Sequence, residues 1–594
     1  MALVFPAHSI GAADDLSYVS RASGFNGSPG DKDSRYASVS GDGRYVAFAS
    51  VAESLSDEDG QYADIFVRDL LTGQTTLVSR ADGLAGAPAN GPSDYPSISA
   101  DGRHVAFQAE ASNLSSEHYD GVAHVYVRDL VAGTTTLATR ATGFAGASAT
   151  DHSEDASISG DGRYVAFTSS ADDLSAEDGD GLDVFVRDLL LGTTTLVSRK
   201  DGIAGASAAG TDPSISLDGR YVAFSSGDVL TEERDSGYGD VYIRNLESGV
   251  TELVSRQTGP GGGPGDERSR AASVSANGRH VAFESTASNF ADEPTYNANV
   301  YVRDRQAGTT TLVSRPSGTS GVITHQFSIE PAISADGRLV AFTSQFNGLT
   351  AEPDSDGLDV FLRDTVADTT VLASRASGAS GAAGDSGSLY PAISGNGAIV
   401  TFHSSASNFS DEDVDHEANP VSDVFAREFG ASSPPPEPAL PGPAAPHGTA
   451  PPEARRTDAS DQRTAPRDIV APVVSRAAWT AGRFAAGRGR TARVARRGVP
   501  RGAKLRFVLS ERADVRIRFL RVCRPSGSVR CGRTRTVGRV LRRRRPAGPN
   551  GIRFTGRLGS RPLAPGAYRA VVWATDASGN RSPSRALPFR LVRR

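Results

Sequence analysis

Seven copies of one hairpin predict an all-β fold: a seven-bladed β-propeller closed by an N-terminal strand, followed by a linker and a small β-sandwich. The hairpin is clearest in SISADGRHVAF, residues 97–107, where two alternating apolar runs flank Asp-Gly. Glycine accepts the positive φ that such a tight turn requires. The turn glycine recurs every 57 to 60 residues, as Gly43, Gly102, Gly162, Gly219, Gly278, Gly337 and Gly397.

Two further strands recur after each hairpin. The third strand has the form DIFVRDL at residues 64–70, and the fourth has the form TTLVSR at residues 75–80. β-Branched and aromatic residues dominate both, as is usual in strands. Four strands per repeat at a regular period are typical of propeller blades.

The two ends of the repeat array complement each other. The seventh repeat stops after its third strand, at residues 423–429, and a Pro-rich segment follows. A fourth-strand sequence, LSYVSR at residues 16–21, instead precedes the first hairpin. We expect the two to pair, because pairing covers strand edges that would otherwise promote aggregation.

These repeats resemble the TolB-type branch of WD40-like propeller repeats, whose signature is a strand, Asp-Gly-Arg or Asp-Gly-Lys, and a second strand containing Ala-Phe. The match covers about residues 16–429, and the Trp-Asp pair of true WD40 repeats is absent. The resemblance implies a propeller. TolB itself is similar to a smaller, six-bladed version with a different companion domain, so its periplasmic partner binding is not implied.

Loop lengths predict which face of the propeller is functional. Short turns join the first strand to the second and the third to the fourth, whereas long loops join the second to the third and one blade to the next. In an antiparallel meander these sets emerge at opposite ends, so we expect the long loops on one face, where binding residues tend to lie. The innermost strands repeat like, small residues (SVS, SIS, AIS), which favours binding over catalysis.

An arginine recurs in the third strand beside a repeating aspartate. A sevenfold repeat indicates a structural role, and we expect salt bridges between strands rather than an anion-binding cluster. The arginines are Arg68, Arg128, Arg187, Arg244, Arg303, Arg363 and Arg427.

Two acidic second-to-third loops, DGDGLD and DSDGLD, suggest metal binding. Closely spaced carboxylates beside glycine can wrap Ca²⁺, which takes six to eight oxygen ligands from a flexible loop. Solvated acidic loops that keep the ring soluble are the alternative. No other cofactor is expected. The candidate ligands are Asp178, Asp180, Asp183, Asp354, Asp356 and Asp359.

Catalytic and membrane signals are missing from the sequence. It contains no G-x-S-x-G elbow, H-E-x-x-H pair, P-loop or C-x-x-C, and its 10 His are dispersed. No run of 18 or more apolar residues occurs. We therefore expect neither an enzyme nor a transmembrane segment.

Composition divides the chain into four segments. Residues 1–13 end in small residues before two aspartates, which is typical of the back half of a secretory signal, with a frayed terminus as the alternative. Residues 14–430 hold the repeats, and residues 431–468 form a Pro/Ala-rich linker. Residues 469–594 alternate again, as in a small basic β-sandwich.

The last segment also carries a resemblance and both cysteines. The run LAPGAYRAVVWATDASGNRS, residues 563–582, resembles the last hairpin of immunoglobulin- or fibronectin-III-like bacterial surface domains. Cys523 and Cys531 are expected to close a hairpin disulfide, which fits export to an oxidising space, with two free thiols as the alternative.

Charge is strongly segregated along the chain. From Arg467 onward 33 Lys and Arg stand against four acids, a net charge of +29, and the preceding 466 residues carry −35. Such asymmetry implies different partners for the two parts, although the codon bias of a GC-rich genome would also explain the arginine excess.

The sequence thus predicts a secreted or cell-envelope monomer that binds a protein or a cell-wall glycan on its propeller face. Its basic domain is expected to tether it to an anionic surface polymer. An extracellular carbohydrate-active hydrolase or lyase, with a metal-assisted site on the acidic loops, is the alternative. Specific nucleic-acid binding is not expected, because no recognition-helix pattern occurs and aromatic residues are sparse among the arginines.

Overall fold

A computed structural model describes most of the repeat region and the strands of the C-terminal segment. The chain divides into two compact units, residues 1–441 and 442–594. In the first, residues 15–429 are described apart from gaps at 59–60, 116–120, 178, 180, 203–204, 233–237, 260, 291–296, 319–326, 347, 351–356, 379–380 and 411–420. In the second, the described residues are 474–479, 483–485, 503–509, 513–522, 535–545, 548–554, 557–558, 561–564, 566–575 and 585–592.

All regular structure in the described residues is β. The first strand is β1 (Leu16–Tyr18). Blade 1 contains β2 (Ser34–Val39), β3 (Tyr45–Ser50), β4 (Asp64–Asp69) and β5 (Gln74–Leu77). Blade 2 contains β6 (Ser93–Ile98), β7 (His104–Ala109), β8 (His124–Asp129) and β9 (Thr134–Leu137). Blade 3 contains β10 (Ser153–Ile158), β11 (Tyr164–Ser169), β12 (Asp183–Asp188) and β13 (Thr193–Leu196).

The remaining blades follow the same order. Blade 4 contains β14 (Thr211–Ile215), β15 (Tyr221–Ser226), β16 (Asp240–Asn245) and β17 (Thr251–Leu253). Blade 5 contains β18 (Ser269–Val274), β19 (His280–Ser285), β20 (Asn299–Asp304) and β21 (Thr309–Leu312). Blade 6 contains β22 (Ser328–Ile333), β23 (Leu339–Ser344), β24 (Asp359–Asp364) and β25 (Thr369–Leu372). Blade 7 contains β26 (Ser388–Ile393), β27 (Ile399–Ser404) and β28 (Asp423–Glu428).

The fourth strand of blade 7 is β1, the first strand of the chain. The sheet order is β1-β28-β27-β26, and Leu16 and Tyr18 stand opposite Arg427 and Phe425. The Tyr18 ring meets the Phe425 ring edge-on, with centroids 5.1 Å apart. The next residue, Val19, is fully buried and donates its backbone N–H to Val424. The all-β, seven-bladed propeller expected from the repeats is therefore confirmed.

The seven sheets surround one axis. The innermost strands of neighbouring blades contact each other all the way round, including β2 with β26. Apolar cores lie between blades: Phe48 of blade 1 packs in one cluster with Ile399 and Val424 of blade 7. The turn glycines face the neighbouring blade, since a Cβ at Gly102 (φ 68°) would lie 2.1 Å from Cδ2 of Tyr45. Glycine is thus required at the turn for two reasons: its positive φ, and the close approach of the neighbouring blade, which leaves no room for a Cβ.

The connections between blades do not stay on one face, contrary to the sequence expectation. After β1 the chain runs to Gly24, whose N–H donates to the carbonyl of Gly73, 2.7 Å away, in the turn between β4 and β5. That turn lies at the end of the blade where Asp69 pairs with Tyr45, beside the hairpin turn. Equivalent bonds of 2.6 to 3.1 Å recur in five further connections. These connections therefore begin and end at the face of the acidic loops but extend along the blade edge to the opposite face in between.

The recurring third-strand arginine secures this path, which agrees with the expected structural role. Its partners are mainly backbone carbonyls rather than the expected interstrand salt bridges, although Arg363 also pairs with Asp368 at 2.8 Å. The Arg187 side chain is 3% exposed and donates to the carbonyls of Ala141 (3.0 Å) and Gly143 (2.7 Å) in the preceding connection. The interstrand bridges belong instead to the adjacent aspartate, as in Asp129 with Arg103 at 2.6 Å. A rigid fork of five donors suits an arginine that must satisfy several carbonyls at once.

We expect Arg187→Lys to lower the free energy of unfolding by about 2–4 kcal/mol, because a lysine cannot replace the forked hydrogen bonds to buried carbonyls. Urea or thermal unfolding measures the loss. Arg103→Lys is the matched control: it alters a partly exposed bridge and should cost within about 1 kcal/mol. Equal losses in the two variants would contradict the structural role of Arg187.

The second unit contains ten described strands in three sheets. They are β29 (Val474–Trp479), β30 (Arg483–Ala485), β31 (Ala503–Leu509), β32 (Ala513–Val522), β33 (Arg535–Arg545), β34 (Gly548–Phe554), β35 (Arg557–Leu558), β36 (Arg561–Pro562), β37 (Gly566–Thr575) and β38 (Arg585–Val592). A three-stranded sheet, β29-β31-β34, and a five-stranded sheet, β30-β38-β37-β32-β33, share one apolar core. Within it the rings of Phe519 and Phe554 stack at 4.4 Å. The proposed linker, residues 431–468, and the N-terminal segment, residues 1–13, lie outside the described residues.

Candidate functional site

Every innermost strand carries one residue in the left-handed backbone region. These seven residues occupy the same place in their blades, at φ between 50° and 55°, where the register with the second strand shifts. A positive φ is uncommon for residues other than glycine and, for a bulky side chain, costs on the order of 1 kcal/mol or more. We call them the axial ring: Tyr36, Tyr95, Asp155, Asp212, Ala271, Glu330 and Tyr390.

The axial ring lies towards one end of the central axis. In blade 1 the ring residue is two positions after Ser34, which pairs with Ser50, and Ser50 pairs with Asp64. This is the end from which the acidic second-to-third loops emerge. A bulge turns its extra residue out of the regular alternation. Because the innermost strands surround the axis, the bulges bring seven unlike side chains together at its mouth.

A second set of side chains faces the axial ring. The fifth residue of each second strand pairs with the residue just before the bulge, as Thr343 pairs with Ile329. Two contacts show that this position reaches the ring residue of its own blade. Thr343 donates to Glu330 at 3.0 Å, and the His403 ring stacks on Tyr390 at 5.3 Å. We call these the facing residues: Ala49, Gln108, Thr168, Ser225, Glu284, Thr343 and His403.

Blades 7, 1 and 2 form the aromatic side of the axial ring. Tyr36 stacks on Tyr95 with centroids 4.1 Å apart and meets Tyr390 edge-on at 5.0 Å. The Tyr95 hydroxyl donates to the Tyr36 hydroxyl at 3.1 Å. Burial and this bond raise the pKa of Tyr95, and burial next to Arg35 lowers the pKa of His403 to about 4. These groups are therefore neutral at physiological pH.

Blades 3 and 4 form the acidic side. Burial, the neighbouring Asp212 and Glu154 together raise the pKa of Asp155 to about 7. The facing residues here are Thr168 and Ser225, 0% and 8% exposed, whose hydroxyl oxygens have no hydrogen-bond partner among the described residues. Buried polar groups normally have partners, so these two are exceptional.

Blades 5 and 6 form a side whose polar groups are satisfied within the protein. Glu330 accepts from the Tyr390 backbone N–H at 2.9 Å as well as from Thr343. Its own N–H donates to Glu284 at 3.1 Å, and Arg270 makes an ion pair with Glu284. Burial raises the pKa of Glu330, against the lowering effect of the hydrogen bonds from Tyr390 and Thr343. This network positions the neighbouring Tyr390 ring at the mouth of the axis.

The predicted metal ligands fall into two groups. Asp178, Asp180, Asp354 and Asp356 lie outside the described residues. Asp183 and Asp359 begin the third strands of their blades, are 3% and 1% exposed, and accept hydrogen bonds from Ser198 and Ser374 of the fourth strands.

Aspartate recurs at this strand position for a structural reason. Asp64 makes the same bond with Ser79 at 2.6 Å, and Asp423 makes it with Ser20 at 2.7 Å. No group of three or more His, Cys, Asp and Glu suited to a metal ion occurs among the residues that the structure describes. Calcium binding stays a prediction, as does the disulfide, because Cys523 and Cys531 lie outside the described part of the chain.

Sequence inspection missed the axial ring. The expectation of like residues in every blade holds for the second half of each innermost strand but is wrong at the axial-ring position, where the residue is Tyr, Asp, Ala or Glu depending on the blade. The signal was present in the aligned repeats as one variable polar position inside an otherwise regular strand. Nothing in the sequence shows that this position is a bulge.

Comparisons with known proteins give only distant similarities in structure. No family model and no curated protein matches the chain. Among solved structures, a putative TolB from Agrobacterium tumefaciens is 17% identical, with a TM-score of 0.30 over 47% of this chain and 80% of that one. The β-propeller domain of the Trilobed protease from Pyrococcus furiosus is 12% identical, with a TM-score of 0.39 over 67% and 94%.

A puromycin-hydrolysing peptidase from Mycobacterium tuberculosis is also similar, at 12% identity and a TM-score of 0.37 over 66% of this chain and 52% of that one. At these identities and TM-scores the similarities assign no activity to this chain. In the part of the chain that the structure describes, no helix is long and apolar enough to cross a membrane.

Proposed function

We propose that this is a non-catalytic binding protein of the cell envelope or the extracellular space, and that its ligand docks on the axial ring. One observation carries the proposal: structurally equivalent bulges hold chemically unlike side chains at one mouth of the axis. A purely structural position would repeat the same residue in each blade, as the third-strand arginine does. Strained positions with divergent polar and aromatic side chains are typical of ligand sites.

The aromatic side supplies a contact surface. The rings of Tyr95 and Tyr390 are 38% and 41% exposed, although each is held by stacking or by backbone bonds. Tyrosine combines a large, rigid apolar face with a polar tip and loses little conformational entropy on binding. Both a protein side chain and a sugar ring of a cell-wall glycan can stack on these tyrosine rings, which agrees with the partners expected from the sequence.

A hydrolase or lyase is the second candidate, because a carboxyl group with a pKa of about 7 suits general acid catalysis. Binding is placed first because the sequence contains no known catalytic motif. The Glu330 carboxylate is already engaged by Thr343 and Tyr390, so Asp155 and Asp212 are the acids of the ring left to act on a substrate.

The second unit is proposed to act as the tether. Its two sheets with a shared core fit the small immunoglobulin-like sandwich expected from the sequence. Its net charge of +29 from Arg467 onward would attract an anionic surface polymer. We expect this attraction to weaken with rising salt, because exposed charges are screened.

The proposal is tested by probing the full-length protein on arrays of cell-wall glycans and of peptides. The double variant Tyr95→Ala/Tyr390→Ala should reduce binding of the ring ligand at least tenfold. Phe144→Ala is the control: this ring is 64% exposed but lies by Gly192, at the opposite end of blade 3. Binding that survives the double variant would place the ligand elsewhere. Breakdown of a bound glycan by the wild type and not by Asp155→Asn would favour the hydrolase or lyase.

A further inference from the structure

The arginines beside the axial ring have ion-pair partners, whereas two of its carboxylates have none in the described part of the chain. Arg35 is paired with Asp94 at 2.7 Å, and Arg270 is paired with Glu284. On the acidic side, by contrast, Asp155 makes no ion pair among the described residues. Among the described residues, its neighbour Asp212 accepts a hydrogen bond only from the adjacent Thr211, at 3.2 Å. The site therefore has both of its cations occupied and two adjacent carboxylates without a counter-charge.

The facing residues of the acidic side also lack partners for their polar groups within the described structure. Thr343, the equivalent threonine of blade 6, reaches the carboxylate of its ring residue at 3.0 Å. Thr168 and Ser225 occupy that position beside Asp155 and Asp212, are over nine-tenths buried, and make no such bond. The acidic side thus presents two carboxylates that can accept hydrogen bonds, backed by two buried hydroxyl groups without hydrogen-bond partners among the described residues.

We propose that the acidic side of the axial ring binds an organic cation, the ammonium or guanidinium group of a ligand, whose carbon stem packs on the neighbouring tyrosines. This inference rests on the proposed binding function and names the chemistry of its ligand. An N–H cation supplies the donors and the positive charge that the two carboxylates lack. Tyr95 is in the blade next to Asp155, so the head group and the stem of one ligand meet different walls of the mouth.

Several observations favour an organic cation over the other ligands considered. An anion is disfavoured because both arginines near the ring are already paired. A calcium ion requires six to eight oxygen ligands, and no cluster of three or more metal-binding side chains occurs among the described residues. The faces of tyrosine rings also attract cations, by about 0.5–2 kcal/mol. Aromatic and acidic walls together therefore match a charged group on an apolar stem.

Ligand-observed NMR on the full-length protein tests the inference with small probes. Nα-acetyl-lysine methylamide and Nα-acetyl-arginine methylamide carry the two cations, and glucosamine carries an ammonium group on a sugar. Nα-acetyl-norleucine methylamide has a similar stem without the charge and should bind at least tenfold more weakly than the lysine probe. The ranking of lysine, arginine and glucosamine distinguishes a peptide source of the cation from an amino-sugar source.

Variants locate the binding. Asp155→Asn and Asp212→Asn should each lower the affinity for the best cationic probe at least tenfold. Glu247→Gln is the control, since this side chain is 78% exposed and pairs with Arg220 near the turn between β16 and β17. Equal binding of the norleucine probe, or undiminished binding by both aspartate variants, would overturn the inference. If an array ligand depends on Tyr95 and Tyr390 but not on Asp155, the inference fails while the proposed function stands.

The pH dependence gives an independent readout. Asp155 is faced by Glu154 on its own strand and by Asp212 on β14, and β6 adds Tyr95 and the Asp94 that is paired with Arg35. Since a cation prefers the ionised carboxylate, affinity for the lysine probe should rise from pH 6 to pH 8 through the pKa of about 7. Asp155→Asn should abolish this rise. A flat profile in the wild type would count against the inference.

Discussion

Removal of residues 1–22 is expected to lower the melting temperature by at least about 5 °C and to promote aggregation. The deletion takes away β1 and with it the buried Tyr18 and Val19. Each such side chain contributes about 1.5–3 kcal/mol through burial. The loss also exposes the edge of β28, whose unpaired N–H and C=O groups would be open to a second chain.

A shorter truncation is the matched control. Removing residues 1–13 leaves β1 intact and should leave melting unchanged. Differential scanning calorimetry compares the two proteins, and light scattering at the transition reports aggregation. Two truncated proteins that melt together would show that pairing of β1 with β28 contributes little to the stability of the ring.

Asp155→Asn is expected to make the protein more stable than the wild type at pH 8, by about 2 kcal/mol. The folded protein raises the pKa of Asp155 from 3.8 to about 7, so folding favours the protonated acid. As pH rises from about 4 through 7, ionisation of this carboxylate costs the wild type stability that the amide variant keeps. The advantage of the variant should therefore vanish near pH 4.

Asp129→Asn is a control with the opposite sign. The Arg103 guanidinium, together with two backbone N–H groups, holds the pKa of Asp129 well below its usual range. Its ionised form is therefore favoured by folding, and the amide should destabilise the protein at neutral pH, with the difference shrinking as the pH falls below 3.8. Urea unfolding across pH 2–8 measures both variants. A destabilising Asp155→Asn at pH 8 would mean that the carboxylate has a structural partner.

The expected gain of stability and the expected loss of ligand binding in Asp155→Asn are linked. If the amide stabilises the fold and abolishes binding of the cationic probe, the carboxylate is maintained for its ligand at the expense of stability. Strained backbone at the same position, with φ at 55°, is a second cost of the same kind. Such costs are usual at functional sites.

Local patterns were enough to predict the strands, their four-by-seven grouping and the strand sequence missing from the last blade. Alternating apolar residues and an Asp-Gly turn act over a few residues, and the repeat supplies seven independent copies of each. The same reasoning did not predict the path of the connections or the partners of the third-strand arginine, because Gly24 meets Gly73 and Arg187 meets Ala141 only after neighbouring blades pack.

The site depended on the ring as a whole. Tyr36 and Tyr390 are 354 residues apart in the chain but meet edge-on at 5.0 Å, since the last blade stands next to the first. Asp155 and Asp212 likewise come from different blades, and the closeness of the second carboxylate helps to raise the pKa of Asp155. Side-chain periodicity describes one strand at a time. Packing between blades decides two features that periodicity cannot show. One is the register shift that turns one residue of each innermost strand out of its alternation, and the other is the closing of seven such strands around an axis.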